Sequence, residues 1–297
     1  MNSYLKQFLL LHIVVFIFGF TGILGVLITM PSNQIVVYRM GIAVVTLMIY
    51  SAFKGKSWSI PRKEWVKVAA TGVLLAIHWV LFFEAIKVST VSVTLAVLSS
   101  ATLFTALIEP VLFRRKIIGY EIILGLLVIS GLYIIFNFET RYTKGIILTL
   151  ISAFSASLFT VINGSFAKKY NAVHISLVEL AGGGVLLALY SIFSGTLFPT
   201  STAPFSDLGY LLILGTICTA FAYVASVSVM RILTPYTVTM AINMEPVYGI
   251  LLALLFFGDD EQMTRGFYIG AIIILGSVFL NGWLKKKSWS GKQLKTK

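Results

Sequence analysis

Eight side chains are ionisable, polar or aromatic where the chain around them is apolar: Arg39, His78, Trp79, Asn163, Glu179, Tyr223, Asn243 and Glu245. A carboxylic acid in apolar surroundings can hold a proton or meet an amine, histidine titrates near neutral pH, and indole and phenol rings offer flat walls with one polar edge. Glu245 is preceded by Asn243 and followed by Pro246, whose missing N–H leaves the carbonyl of Ile242 without its helical partner. His78, Phe82 and Ala85 share one face of a helix. Together these groups suit the recognition of a small amphipathic solute. Each also has a structural use, as an anchor hydrogen-bonded to a neighbouring helix, and from the residues alone both uses stay open. No HExxH, GxSxG or phosphate-loop pattern accompanies them, so no catalytic residue is assigned. The three histidines and the lone Cys218 offer no metal-ligand spacing, and no metal or cofactor is expected. Glu84 and Glu109 read as solvated partners of Lys87 and Arg114, and Asp259-Asp260-Glu261 as a solvated loop.

The elements that must position these residues are set by composition. Of 297 residues 58% are hydrophobic and 11% charged, and the mean hydropathy of +0.94 makes lipid the main solvent. The expected fold class is an all-α integral membrane protein. Apolar runs between Gly, Pro and charge breaks place ten transmembrane helices near 7–28, 34–53, 66–86, 89–112, 117–136, 144–166, 173–194, 208–230, 234–256 and 264–284. The first is too long for a signal-peptide core. With the N-terminus inside, 18 Lys and Arg fall on the inner side and four on the outer, which orients both termini toward the cytoplasm of a bacterial-type inner membrane. Trp58, Trp65, Trp283 and Trp289 fall at the inner boundary, as an aromatic belt does. The net charge of +12 is spread between apolar segments rather than along one face, so lipid and not nucleic acid is the partner.

The chain also repeats itself. Phe20-Thr21 aligns with Phe159-Thr160, Gly25 with Gly164, Arg39 with Glu179 and Tyr50 with Tyr190, at offsets of 139 to 140. Lys87 aligns with Arg231, Thr90 with Thr234, Gly125 with Gly270 and Gly131 with Gly276, at 144 to 145. The division is 1–138 and 139–284, two five-helix halves, followed by a basic cytoplasmic tail over 285–297. Five is odd, so the halves must be inverted repeats around a central cavity, the symmetry that alternating access uses. At about 1.5 Å per residue, Arg39 lies about 8 Å in from the outer side and Glu179 about 9 Å in from the inner side, while Glu245 and His78 lie near the midplane. A charge at that depth costs roughly 2.5 to 3.5 kcal/mol and needs a partner or water. Asn163, across a tight hairpin from Glu179, is its natural hydrogen-bond partner. Tyr223 is the repeat mate of Trp79.

Arg39, the run Phe82-Phe83-Glu84-Ala85-Ile86-Lys87, Glu245-Pro246-Val247-Tyr248 and Phe257-Gly258-Asp259 carry a resemblance to the EamA family of the drug/metabolite transporter superfamily. The resemblance covers essentially the whole chain. It implies ten helices in two inverted halves around a central cavity, and the transport or export of metabolites, amino acids among them. The expected protein is a permease for a small-molecule substrate, with protons as a candidate coupling ion through Glu179, Glu245 and His78. A gated channel, an uptake carrier or a non-transporting scaffold uses the same composition, and neither the cargo nor the oligomeric state can be read from these residues.

Overall fold

The computed structural model describes residues 3–54, 58–114, 119–197 and 204–293. Among them every regular element is helical: α1 (Ser3–Leu27), α2 (Ser32–Lys54), α3 (Trp65–Val88), α4 (Val91–Leu98), α5 (Ala101–Leu112), α6 (Gly119–Phe138), α7 (Thr143–Phe166), α8 (Ala172–Phe193), α9 (Phe205–Gly215), α10 (Ala222–Val229), α11 (Pro235–Ile242), α12 (Glu245–Phe257) and α13 (Arg265–Gln293). Seven stretches are long and apolar enough to cross a membrane, and shorter apolar helices cover Ile123–Phe138 and Arg265–Ser277. Sequence signals start and stop these helices. Thr90, Asn171 and Thr234 cap α4, α8 and α11 by accepting from the amides of Val93, Val173 and Thr237. Pro235 occupies the first turn of α11, where no N–H is needed. Gly258, at φ 56°, ends α12 in a conformation that favours glycine.

The packing inverts the usual rule for proteins in water. Phe53, Phe193 and Phe205 are 86–90% exposed, whereas Arg39, Asn163 and Glu179 are at most 1% exposed. Apolar side chains facing outward, with the buried charged groups held inside an otherwise apolar core, are what a lipid solvent selects. Small residues bring helices together inside: Gly72 on α3 meets Glu179 and Gly183 on α8, and Gly131 on α6 meets Gly270 on α13.

Three spans read as continuous from the sequence are broken. The run 89–112 divides at Ser99-Ser100 into α4 and α5, and 234–256 divides at Asn243-Met244 into α11 and α12. The run 208–230 contains a π-helical stretch over Thr216–Phe221. Pro246 explains the second break, because its ring and missing N–H do not allow the preceding turn to continue. Hydropathy does not register such breaks, since the residues flanking them stay apolar. The last helix runs to Gln293 rather than ending near residue 284, so most of the basic tail continues α13. Lys56, Arg115, Lys116 and residues 294–297, which enter the charge count, lie outside the described residues, as do the side chains of Trp283 and Trp289.

The rods α4–α5 and α11–α12 lie antiparallel in a constant register. Leu95 packs where Gly249 has no side chain, Asn243 Nδ2 donates to Thr102 Oγ1, Thr105 Oγ1 lies 3.5 Å from Thr239 Oγ1, and Glu109 accepts from the amide of Tyr236 at 3.1 Å. In each pair the residue numbers total 344 or 345, so the break at 99–100 faces the break at 243–244.

Candidate functional site

Those two breaks open onto a cavity of about 100 Å³ in the middle of the bundle. By the same measure one water takes about 10–15 Å³, so the space admits several waters or one small molecule. Arg39, His78, Trp79, Asn163, Tyr223, Asn243 and Glu245 all line it. They come from α2, α3, α7, α10, the α11–α12 break and the start of α12. Glu179 is not part of the wall but stands directly behind it.

Arg39 is held in place rather than solvated. Its Nε donates to Thr219 Oγ1 at 3.0 Å, and its guanidinium carbon lies 3.8 Å from the centre of the Trp79 ring and 5.4 Å from that of Phe83. Thr219 can accept because the π-helical turn lets its own hydroxyl donate to Leu214 O, five residues back, at 2.6 Å. Nη1 is buried with no hydrogen-bond partner among the described residues. A buried guanidinium nitrogen in this position can take a further acceptor from the cavity.

Behind the wall formed by Asn163 and Tyr223, the Tyr223 Oη donates to Glu179 Oε2 at 2.7 Å, and Asn163 Nδ2 reaches Glu179 Oε2 at 3.3 Å and Tyr223 Oη at 3.0 Å. Glu179 Oε1 is buried and without a partner among the described residues. Tyr223 also meets Trp79 edge-on at 5.9 Å, so the Arg39 and Glu179 clusters share one aromatic wall. Tyr223 therefore links a carboxyl group to the cavity through a single hydroxyl.

His78 is a hydrogen-bonded anchor that also lines the cavity. Its Nδ1 lies 2.7 Å from Ser152 Oγ, which itself donates to the His78 carbonyl at 2.8 Å, tying α3 to α7. The ring still faces the cavity, 6.1 Å from Phe82 and 5.7 Å from Phe159. Asn243 is committed to Thr102. Glu245 is 6% exposed, and all of its neighbours in the cavity wall are apolar, hydroxyl or amide groups apart from Arg39 and His78.

Two of the carboxylates read as solvated, Glu109 and Glu261, are buried. Glu109 is 6% exposed and bound to the α11 amide rather than paired with Arg114. Glu261 is 4% exposed and accepts from the amides of Val91 and Ser92 at 2.8 and 2.9 Å. Glu84 stays partly exposed and near basic side chains: it accepts from Ser32 Oγ at 2.9 Å and lies 4.0 Å from Lys144, while Lys87 donates to Ile28 O. The amides that Glu109 and Glu261 bind belong to distant residues, which no local spacing reveals. Thr219, Phe159 and Ser152 likewise join the site from outside any motif; only the repeat match of Phe20-Thr21 with Phe159-Thr160 marked one of them.

The sequence model of the EamA-like transporter family matches residues 5–137 and again residues 143–283. An uncharacterized transporter of Archaeoglobus fulgidus is 24% identical over 250 residues, covering 82% of this chain and 85% of its own. An uncharacterized transporter of Clostridium kluyveri is 22% identical over 256 residues, covering 82% of this chain and 81% of its own. The uncharacterized transporter YdfC of Bacillus subtilis is 21% identical over 266 residues, covering 88% and 85%. One protein solved by crystallography superposes with a TM-score of 0.68 at 16% identity, over 93% of this chain and 96% of that one, and so shares the fold.

Proposed function

Because the chain belongs to the EamA-like transporter family, we propose that it is a cytoplasmic-membrane permease that exports a small zwitterionic metabolite, an amino acid or close relative, by alternating access through the central cavity. The observation that carries this reading is the placement of a guanidinium and a carboxyl group in the wall of one aromatic chamber. Arg39, with Nη1 uncommitted, and Glu245 line the same cavity beside Trp79, Phe82, Phe159 and Tyr223. A carboxylate suits the guanidinium, an amine suits the carboxyl group, and an apolar side chain suits the rings. The cavity sits where two rods break, with Ser99 and Asn243 of the two breaks in its wall.

The topology belongs to the same reading. The shorter apolar helices and the α11–α12 rod complete ten crossings, both termini lie inside, and the halves 1–138 and 139–284 are inverted repeats. Thr90 and Thr234, 144 residues apart, cap their helices identically, and the breaks at Ser99-Ser100 and Asn243-Met244 are separated by the same 144 residues. Both features support that symmetry.

Counterflow in proteoliposomes tests the cargo. A panel of metabolites loaded inside should stimulate uptake of the same labelled compound only for zwitterions with small or apolar side chains, and analogues blocked at the amine or the carboxylate should be inactive. Flux that rises linearly with concentration and ignores a trans substrate would make the protein a channel instead.

Glu179 is the proposed proton carrier, since its hydrogen bonds run through Tyr223 to the cavity. Efflux should accelerate under a proton gradient directed against it, and Glu179→Gln should lose that acceleration while retaining exchange. Wild-type flux that ignores an imposed gradient removes proton coupling from the reading.

A further inference from the structure

The antiparallel rods α4–α5 and α11–α12 are tied at both ends in the same way. At the start of α4, Glu261 accepts from Val91 N at 2.8 Å and Ser92 N at 2.9 Å, and Thr90 Oγ1 accepts from Val93 N at 3.1 Å. At the start of α11, Pro235 has no N–H, Glu109 accepts from Tyr236 N at 3.1 Å, and Thr234 Oγ1 accepts from Thr237 N at 3.2 Å. Every first-turn donor is thus used in both places, two by a carboxylate at one end and one at the other, where proline removes the need for a second. Each carboxylate comes from the far end of the opposite rod: Glu109 from the last turn of α5, Glu261 from the turn that follows α12. Ser92 and Tyr236 are 144 residues apart, the spacing that also separates Thr90 from Thr234. Val91 and Glu109 lie 18 residues apart along one rod, so the two ties are about 27 Å apart, on opposite sides of the cavity.

We propose that Glu109 and Glu261 are reciprocal gate residues, each holding one mouth of the cavity shut by binding the helix start of the opposite rod. This rests on the transport reading above. A cavity flanked by two breaks can open toward either end if the half-rods swing about the breaks, and each swing parts one carboxylate from one helix start. The bonds are suited to reversible opening. A carboxylate on backbone amides at a helix start is a strong charge-assisted contact, yet once parted both partners face the aqueous mouth and are rehydrated.

The test uses the full-length chain, whose single cysteine, Cys218, is buried and can be replaced by alanine. Ser99→Cys places a reporter on the cavity wall at the break. A membrane-impermeant thiosulfonate is then added to one side or the other of sealed vesicles holding protein of one orientation. Glu261→Gln should speed labelling from the face that bears Val91 by roughly tenfold, the loss of charge assistance from a buried pair, and slow it from the other face. Glu109→Gln should do the reverse. The aspartate variants, which keep the charge one methylene shorter, should fall between wild type and glutamine with the same sidedness. Labelling raised equally from both faces, or unchanged in both variants, overturns the gates and makes these residues simple helix caps. Opposite sidedness with no metabolite flux would keep the gates and remove the transport reading; normal flux with symmetrical labelling would do the opposite.

Discussion

Gly72→Val is expected to leave little correctly folded protein in the membrane. A side chain at residue 72 would occupy the space of the Glu179 carbonyl, and at residue 183 that of the Gly72 carbonyl. Gly182 is almost as tight, with its added carbon 2.7 Å from Ala69 Cβ. The obstruction is main chain, so no rotamer change relieves it, and α3 and α8 must separate. Overfilling a core whose side chains can yield costs typically about 1–3 kcal/mol, and an obstruction of backbone belongs at or beyond the top of that range. The separation would also draw Glu179 away from Asn163 and Tyr223. Detergent-extracted Gly72→Val should therefore elute largely as aggregate and lose its thermal transition. Gly41→Ala is the control, because nothing lies within 4 Å of an added carbon there and alanine is the better helix former by about 1 kcal/mol. Equal yield and stability of the two variants would dismiss the seam as a determinant of the fold.

Arg39→Ala should fold and fail to transport. The side chain donates to Thr219 and stacks on Trp79, but its removal empties space beside an existing cavity and obstructs nothing. If Nη1 receives the carboxylate of the cargo, the variant loses one charge-assisted hydrogen bond and the attraction behind it, about 100-fold in exchange rate at limiting substrate. Arg39→Lys should recover only part of this, since an ammonium neither stacks flat on the indole nor offers the planar fork of donors. Binding and folding are separated by measuring counterflow beside size-exclusion behaviour and thermal stability. Normal exchange in a well-folded Arg39→Ala would remove Arg39 from the substrate site, leaving it a buried anchor between α2 and the π-helical turn.

What could be read without coordinates depended on how each feature is encoded. Membrane residence follows from composition, because 58% hydrophobic side chains cannot be buried in so uniformly apolar a chain with water outside. Family membership followed from short ordered groups such as Glu245-Pro246-Val247-Tyr248, which are contiguous in the chain. The polar residues worth attention also announced themselves, since an arginine or glutamate within an apolar run is costly wherever it points. Seven of the eight then meet around one cavity, and the eighth, Glu179, hydrogen-bonds two of them.

Glu109 and Glu261 are the converse case. Both stand near helix ends beside charged neighbours, where solvation is the reasonable expectation, and both are buried on amides 127 and 170 residues away. An acceptor serving a backbone donor leaves no trace in residue type at the other end, because every non-proline residue supplies the same N–H. The break at Ser99-Ser100 is hidden for a related reason: serine interrupts neither hydropathy nor helix propensity strongly enough to mark it.

The amino-acid sequence by itself thus determined the solvent, the helices and the family, all of which depend on local composition and order. It also supplied the buried charged residues and one partner, Asn163 for Glu179, but not the others. Only the tertiary structure decided that Arg39 rests on Trp79 and the π-helical turn with one nitrogen free, that Glu179 reaches the cavity through Tyr223, and that the two broken rods hold each other's helix starts. Those arrangements depend on which helix faces come together, and that is fixed by packing between segments more than a hundred residues apart rather than by any pattern along one of them.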